Sequence, residues 1–212
     1  MARGTAVASP VLHVRATVRD VPEAKRRATY EDLMQVPDTK VAEIIDGELV
    51  VSPRPAWAHT RAASALQVDI AGPFDRDPSD PSGPGGWCVV FEPELHIGDD
   101  VLVPDLAGWR RSRMPAQTNV PFLTLAPDWA CEVISPSTGR IDRSRKMRIY
   151  GEAGVPSLWL VDPLAKTLEV YRREDDRWIV AAVHGGDDVV RAEPFAAVEL
   201  AIARWWLPDA TG

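Results

Sequence analysis

Two short apolar runs, each with one carboxylate inside it, constrain this chain more than anything else in it. Val101 to Trp109 contains Val103-Pro104-Asp105, and Asp128 to Ile134 contains Glu132. Both have the β-branched and aromatic character of strands. A charge within a buried strand is costly unless something pairs with it. Side chains alternate along a strand, so Asp105 shares a face with Val103, Ala107 and Trp109, and Glu132 with Ala130 and Ile134. Two such strands a loop apart bring two carboxylates to one place, which suits a divalent metal.

The segments before this pair are punctuated by clear turn signals. Thr29 is a plausible N-cap for a short helix over Tyr30-Glu31-Asp32-Leu33-Met34, whose acids suit its first turn. Val41 to Val51 reads as a β-hairpin turning at Asp46-Gly47. One of its faces carries Val41, Glu43, Ile45, Glu48 and Val50. For Glu43 and Glu48 a partly solvated face is the competing explanation to a role at a site. Ser52-Pro53-Arg54-Pro55 ends the hairpin, and a helix follows from about Trp57 to Phe74 with His59 in its first turn. A lone His there is commonly a polar surface or capping residue, and a role at the site is the alternative. Asp75 to Gly86 is rich in Pro, Gly, Asp and Ser and is expected to be a flexible surface loop. Trp87 to Phe91 is a strand and Glu94 to Ile97 another extended piece.

After Glu132, Ser135-Pro136-Ser137-Thr138-Gly139 stops the strand and offers caps for a helix over about Arg140 to Ala153, closed by Gly154 and Pro156. At 100° per residue, Asp142, Lys146, Ile149, Tyr150 and Ala153 fall on one arc, and Arg145, Arg148 and Glu152 fall opposite. Lys146 is thus placed on the packed face and needs a partner. Two partners remain open: Asp142 as an i,i+4 ion pair at the edge of the stripe, or Glu132 and Asp105, reached across the strand end. Ser157 to Val161 is apolar throughout, as in a strand covered on both faces. Thr167 to Arg172 and Trp178 to Val183 form a further hairpin, and a closing strand or helical turn lies near Val198 to Trp206.

The chain of 212 residues is long enough for a sizeable core. No apolar run approaches a membrane span and no signal-peptide h-region is visible, so a cytoplasmic protein without membrane contact is expected. Cys88 and Cys131 are isolated in strand-like runs and read as reduced core thiols. Residues 1–28 carry six Lys/Arg against two acids and read as a flexible basic arm; 29–212 read as one domain. That domain holds 18 basic and 29 acidic residues, a poor electrostatic footprint for a polyanion.

On residues alone, Glu132 is the harder acid to explain away. Its strand leads directly into a helix, so it lies near the C-terminal strand end, where open α/β sheets often place their sites. Asp105, following Pro104, also fits the start of an edge strand. Hard carboxylate oxygens suit Mg²⁺, and a neighbouring ammonium can orient water and support growing negative charge. Two carboxylates and a lysine on a small α/β sheet fit phosphodiester hydrolysis. The chain has no P-loop, dinucleotide fingerprint, nucleophile elbow or His-Glu-x-x-His motif. Trp205-Trp206 reads as a hydrophobic plug rather than a base-stacking platform.

These residues, in this order, resemble the Uma-type restriction endonuclease family, a bacterial branch of the PD-(D/E)XK nuclease superfamily. The likeness is carried by Glu43-Ile44-Ile45-Asp46-Gly47-Glu48-Leu49, by His59, and by Val103-Pro104-Asp105-Leu106-Ala107. It continues through Glu132-Val133-Ile134-Ser135-Pro136-Ser137, Asp142 to Tyr150, and Gly154 to Pro163. The resemblance implies a restriction-endonuclease-like α/β core, a mixed central sheet flanked by helices, here with extra β-hairpins. It implies Asp105, Glu132 and the Val133 carbonyl as ligands of Mg²⁺ (or Mn²⁺). Lys146 takes the catalytic lysine's place, because Ile134 stands where the usual Glu-x-Lys motif has its lysine. Glu43 becomes an additional acid of the site, with His59 and Asp142 as auxiliaries. The expected activity is endonucleolytic hydrolysis of DNA. The alternatives are a non-catalytic nuclease-fold module that binds protein or nucleic acid, and a metal-dependent hydrolase of another phosphoester. A homodimer is expected from a Trp-rich end taken to be exposed.

Overall fold

The computed structural model describes residues 26–115, 119 and 121–208. The elements in chain order are α1 (Tyr30–Met34), β1 (Lys40–Ile45), β2 (Glu48–Pro53), α2 (Trp57–Phe74), β3 (Trp87–Phe91), β4 (Leu95–Ile97), β5 (Asp100–Leu102), β6 (Leu106–Arg110) and β7 (Trp129–Val133). Then come α3 (Gly139–Ile141), a wide turn over Asp142–Lys146, α4 (Met147–Glu152), β8 (Ser157–Asp162), β9 (Thr167–Glu174), β10 (Arg177–Gly185), β11 (Val189–Val190) and β12 (Leu200–Ala201).

Local chemistry accounts for the early elements. Thr29 and Asp32 form a reciprocal capping box: the Asp32 carboxylate accepts from Thr29 N at 2.8 Å, and Asp32 N donates to Thr29 Oγ1 at 3.3 Å. Asp46 and Gly47 both have positive φ, 57° and 76°, the backbone that matches a two-residue hairpin turn to the strand twist. The register pairs Ile45 with Glu48 and Glu43 with Val50, so those four side chains share the expected face. The segment expected to be a flexible arm is anchored where it is described. Arg26 pairs with Asp32, and Ala28 N donates to Gly47 O at 2.8 Å. Residues 1–25 of that expectation lie outside the described residues.

The strands build a six-stranded mixed sheet, β10-β9-β8-β7-β6-β3, and a four-stranded antiparallel sheet, β2-β1-β5-β4. Only β7 and β8 run parallel in the larger sheet, and the chain between them passes through α3 and α4. Alternation along β7 sorts its residues between two layers. Trp129, Cys131 and Val133 meet α2 through Leu66, Ile70 and Phe74, together with the C-terminal segment. Ala130 and Ile134 face the other way, toward Ile45, Leu95 and Leu102 of the small sheet and Ile149 and Tyr150 of α4. Glu132 belongs to that second face, between the two sheets and the helix.

The structure corrects four expectations. Val101 to Trp109 is not one strand: it breaks at Val103-Pro104-Asp105, leaving β5 in the small sheet and β6 in the large one. Pro104 has no N–H to give a ladder, so the chain changes sheets there. The helix after Glu132 is not uniformly α-helical. Met147 N donates to Asp142 O, an i→i+5 bond, and the widened turn holds Asp142 and Lys146. The loop Asp75 to Gly86 folds back on α2, with Gly85 N donating to Pro73 O at 3.1 Å and Gly86 N to Arg76 O at 2.8 Å. The C-terminal Trp pair is not exposed: Trp205 is fully buried and Trp206 is 6% exposed, stacked edge-on, so the plug reading stands and the stated ground for a homodimer is gone.

Candidate active site

The strand break and the wide helical turn bring the sequence-selected residues to one cleft. Glu43, His59, Asp105, Glu132, Val133, Asp142 and Lys146 all line a cavity of ≈ 260 Å³ between the sheets and the helices. Asp105 sits at the break before β6, where one carboxylate oxygen accepts from Val133 N at 2.7 Å and the other lies 3.2 Å from His59 Nε2. His59 reaches it from the first turn of α2 and is itself mostly buried, with its Nδ1 left without a hydrogen-bond partner.

Of the partners left open for Lys146, the structure brings Glu132 into close contact, with Glu43 beside it, but places no ion pair between Lys146 and Asp105. Its ammonium contacts Glu132 at 2.8 Å and Glu43 at 2.9 Å, while Asp142, its i,i+4 neighbour, is 3.9 Å away. It also donates to the Val103 carbonyl at 3.4 Å. Glu43 Oε1 accepts from Val103 N at 2.8 Å, tying β1 to the segment that carries Asp105. Glu43 is buried, so the solvated-face reading fails for it; Glu48 is exposed and pairs with Arg145 at 3.0 Å, so for that residue it holds.

The charge balance is unusual for so dry a place. Three buried carboxylates lie within 4 Å of a single buried ammonium, and Asp105 adds a fourth acid to the same cleft. Acids in excess hold on to protons. Burial pushes the Glu132 carboxyl well up, and Lys146 only partly opposes this. Burial likewise raises Asp142 to about 6 against the pull of Lys146. For Lys146, burial disfavours the charge, but Glu132 and Glu43 more than offset it and hold the ammonium well above its ordinary range. Burial also works against a charged His59, yet its contact with Asp105 raises it.

Three groups in or behind the cleft were missed or misread from the sequence. Tyr150 was placed in the apolar stripe, but its hydroxyl donates to Glu132 Oε1 at 2.6 Å. A buried tyrosine hydroxyl needs a partner, and that was the available signal. Glu92 lines the cleft from just beyond β3; its N–H donates to the Asp105 carbonyl at 3.0 Å and its φ is 44°. Burial and the nearby Asp105 raise its carboxyl. Ser135 to Thr138 line another stretch of wall; the sequence marked that run as a strand stop, a source of helix caps and part of the family likeness, but not as cleft lining.

Among the described residues, no three His, Cys, Asp or Glu side chains are arranged to hold a metal by themselves. The donor chemistry still fits a hard divalent cation, which takes one or two carboxylates and completes its shell with waters. The buried excess of carboxylates over cations is the observation that favours one here. Asp105, Glu132 and the Val133 carbonyl are the groups that would hold it.

The chain is a mixed α/β protein of several sheets, with one acid at a Pro-Asp strand break and a second on the adjoining strand. A solved structure shares the fold: the crystal structure of "a putative nuclease belonging to DUF820" from Anabaena variabilis superposes with a TM-score of 0.67 at 24% identity, covering 84% of this chain and 97% of that one. The chain belongs to the Uma2 family, described as "Putative restriction endonuclease", whose sequence model matches residues 27–203. No curated protein matches it. Among the described residues no helix is long and apolar enough to cross a membrane.

Proposed function

We propose that the cleft is the active site of a metal-dependent endonuclease that hydrolyses phosphodiester bonds of DNA. The observation that carries this reading is the return of Lys146 to Glu132, at 2.8 Å, in the cleft that also holds Asp105. Asp105, Glu132 and the Val133 carbonyl would bind Mg²⁺ or Mn²⁺, which supplies Lewis-acid polarisation of a phosphoryl oxygen. Val133 N fixes one oxygen of Asp105, and His59 orients the other. Lys146 is held protonated, so it serves as a cation that orients water and supports charge growing on the phosphate, not as a base. Glu43 and Tyr150 steer Lys146 and Glu132 and keep both from turning away. The test is cleavage of supercoiled plasmid with Mg²⁺ or Mn²⁺, wild type against Glu132→Ala. Cleavage in the wild type alone is expected; equal activity in both proteins defeats the assignment.

One observation favours a second reading, a non-catalytic nuclease-fold module. Both Glu132 oxygens are already engaged, one by Lys146 and Tyr150 and the other by Lys146, in a closed network. That reading predicts no heat of Mn²⁺ binding in calorimetry, whereas the nuclease reading predicts heat that Asp105→Asn abolishes.

A further inference from the structure

Six of the eight tryptophans are buried, Trp178 is partly buried against the core, and only Trp57 is left largely exposed. Trp87, Trp109, Trp129, Trp159 and Trp205 are at most 2% exposed, whereas Trp57 is 70% exposed. Trp57 is the first residue of α2, between Ala56 and His59, both of which line the cleft. An indole left in water beside residues that line a cleft forgoes burial that the other tryptophans obtain in whole or in part.

Cations without an acid partner lie near it. Many arginines elsewhere among the described residues are paired with acids, as in Arg148–Glu152, Arg172–Glu174 and Arg191–Glu199, although the exposed Arg110 and Arg177 are not. Arg54 lines the cleft and donates to the Asp38 carbonyl, with no carboxylate in ion-pair contact among the described residues. Arg140, two residues past the lining Thr138, is likewise without an acid in ion-pair contact among the described residues. The cleft floor is acidic, but Arg54 on its wall and Arg140 close to it offer guanidinium groups without an acid in ion-pair contact, on the side where the indole is exposed.

We propose that this rim receives a single, unpaired DNA strand, one base stacking on Trp57 while phosphates meet Arg54 and Arg140. The identity of the polymer rests on the nuclease reading above; the choice of single strand rests on the rim. Paired bases are stacked on one another and present only edges, whereas an unpaired base has a free face for an indole. A duplex, with one charge per ~1.7 Å of axis, also depends more heavily on electrostatic attraction, which so acidic a body supplies poorly. Stacking is indifferent to that acidity, and a few free guanidinium groups suffice to place the backbone.

The test is fluorescence anisotropy with a labelled oligonucleotide of about 12 nucleotides, a length within the usual single-strand site sizes. It is run as single strand and as duplex, in EDTA so that neither is cut. Tighter binding of the single strand is expected. Trp57→Ala weakens it by about tenfold or more, and Trp57→Phe retains most of it. Arg54→Gln and Arg140→Gln each lower the slope of log affinity against log salt by about 0.7. Trp57 is exposed, so the melting temperature of Trp57→Ala stays that of the wild type. Unchanged single-strand binding in Trp57→Ala, or tighter binding of the duplex by the wild type, overturns the proposal. So does a wild-type dimer that Trp57→Ala dissociates without altering oligonucleotide binding, which would make the rim a protein interface. If Trp57-dependent binding is found but plasmid and oligonucleotide remain uncut with Mg²⁺ and Mn²⁺, the nuclease reading fails while this one stands.

Discussion

Replacing Lys146 by Met probes the site most directly, because it keeps the length and packing of the side chain and removes only the charge. In the wild type the ammonium is 3% exposed and serves Glu132 at 2.8 Å and Glu43 at 2.9 Å. Without it, two buried carboxylates lose their cation and a third, Asp142, loses its nearest one. Removing one partner of a buried ion pair costs about 3–5 kcal/mol. For a domain of this size that corresponds to a fall in Tm of about 6–20 °C. The loss depends on pH in a definite direction. Burial and neighbouring acids already raise Glu132 in the fold, and removal of Lys146 raises it further. A carboxyl whose folded pKa lies above its unfolded value binds more protons in the native state, so stability falls as pH rises through that interval. The deficit of Lys146→Met is therefore largest near pH 8 and shrinks toward pH 5, where the stranded carboxyls protonate. Thermal melts of both proteins at the two pH values check this. An unchanged Tm at pH 8, or a deficit that grows on acidification, refutes the reasoning. Arg148→Ala, which breaks half-exposed pairs with Glu152 and Asp46, is the control and moves stability by less than about 1 kcal/mol.

Three further outcomes are expected. Asp142 is raised from 3.8 to about 6 chiefly by burial, so its charge costs stability that is absent below the unfolded value and fully present above pH 6. Asp142→Asn accordingly stabilises the protein at pH 8 by about 1–3 kcal/mol and much less at pH 4, read from urea midpoints; equal effects at both pH values refute this. Tyr150→Phe removes the hydroxyl that donates to Glu132 at 2.6 Å and lowers stability by about 1.5–3 kcal/mol in the same assay. A loss below a few tenths would mean that Lys146 alone satisfies that carboxylate. Gly47→Ala places a Cβ at a φ of 76° and 2.8 Å from Arg27 Nε in the turn of the hairpin that bears Glu43. The Arg27 side chain can move aside but the backbone cannot, so a loss of about 1 kcal/mol is expected from melts, and a stabilised variant would contradict it.

The elements that local chemistry controls were legible in the chain. Thr29 with Asp32, Asp46-Gly47, and Gly154 with Pro156 mark a cap, a turn and a stop, because each acts on its own few residues. The buried face of the helix bearing Lys146 was legible as well, even though its Asp142–Lys146 turn is wider than an α-helical turn. The inward residues Asp142, Lys146, Ile149 and Tyr150 are spaced closely enough that one widened turn does not rotate them out. Strand alternation and the helical arc already grouped Asp105, Glu132 and Lys146, and the resemblance implied their roles.

What no local rule contained is which distant groups meet. That Val101 to Trp109 divides between two sheets, that Glu43 takes the Val103 N–H, and that Tyr150 and Lys146 share Glu132 depend on where separately formed layers come to rest. Exposure is likewise a property of the whole molecule. Trp57 is left exposed beside the cleft, whereas Trp206 is buried with its indole donating to the Gly186 carbonyl. Propensity, capping and turn chemistry act over a few residues and are written in order along the chain. Burial, ion pairing and desolvation act across space, so the sequence named the acids and the lysine, and only the packed layers decided that they share one cleft.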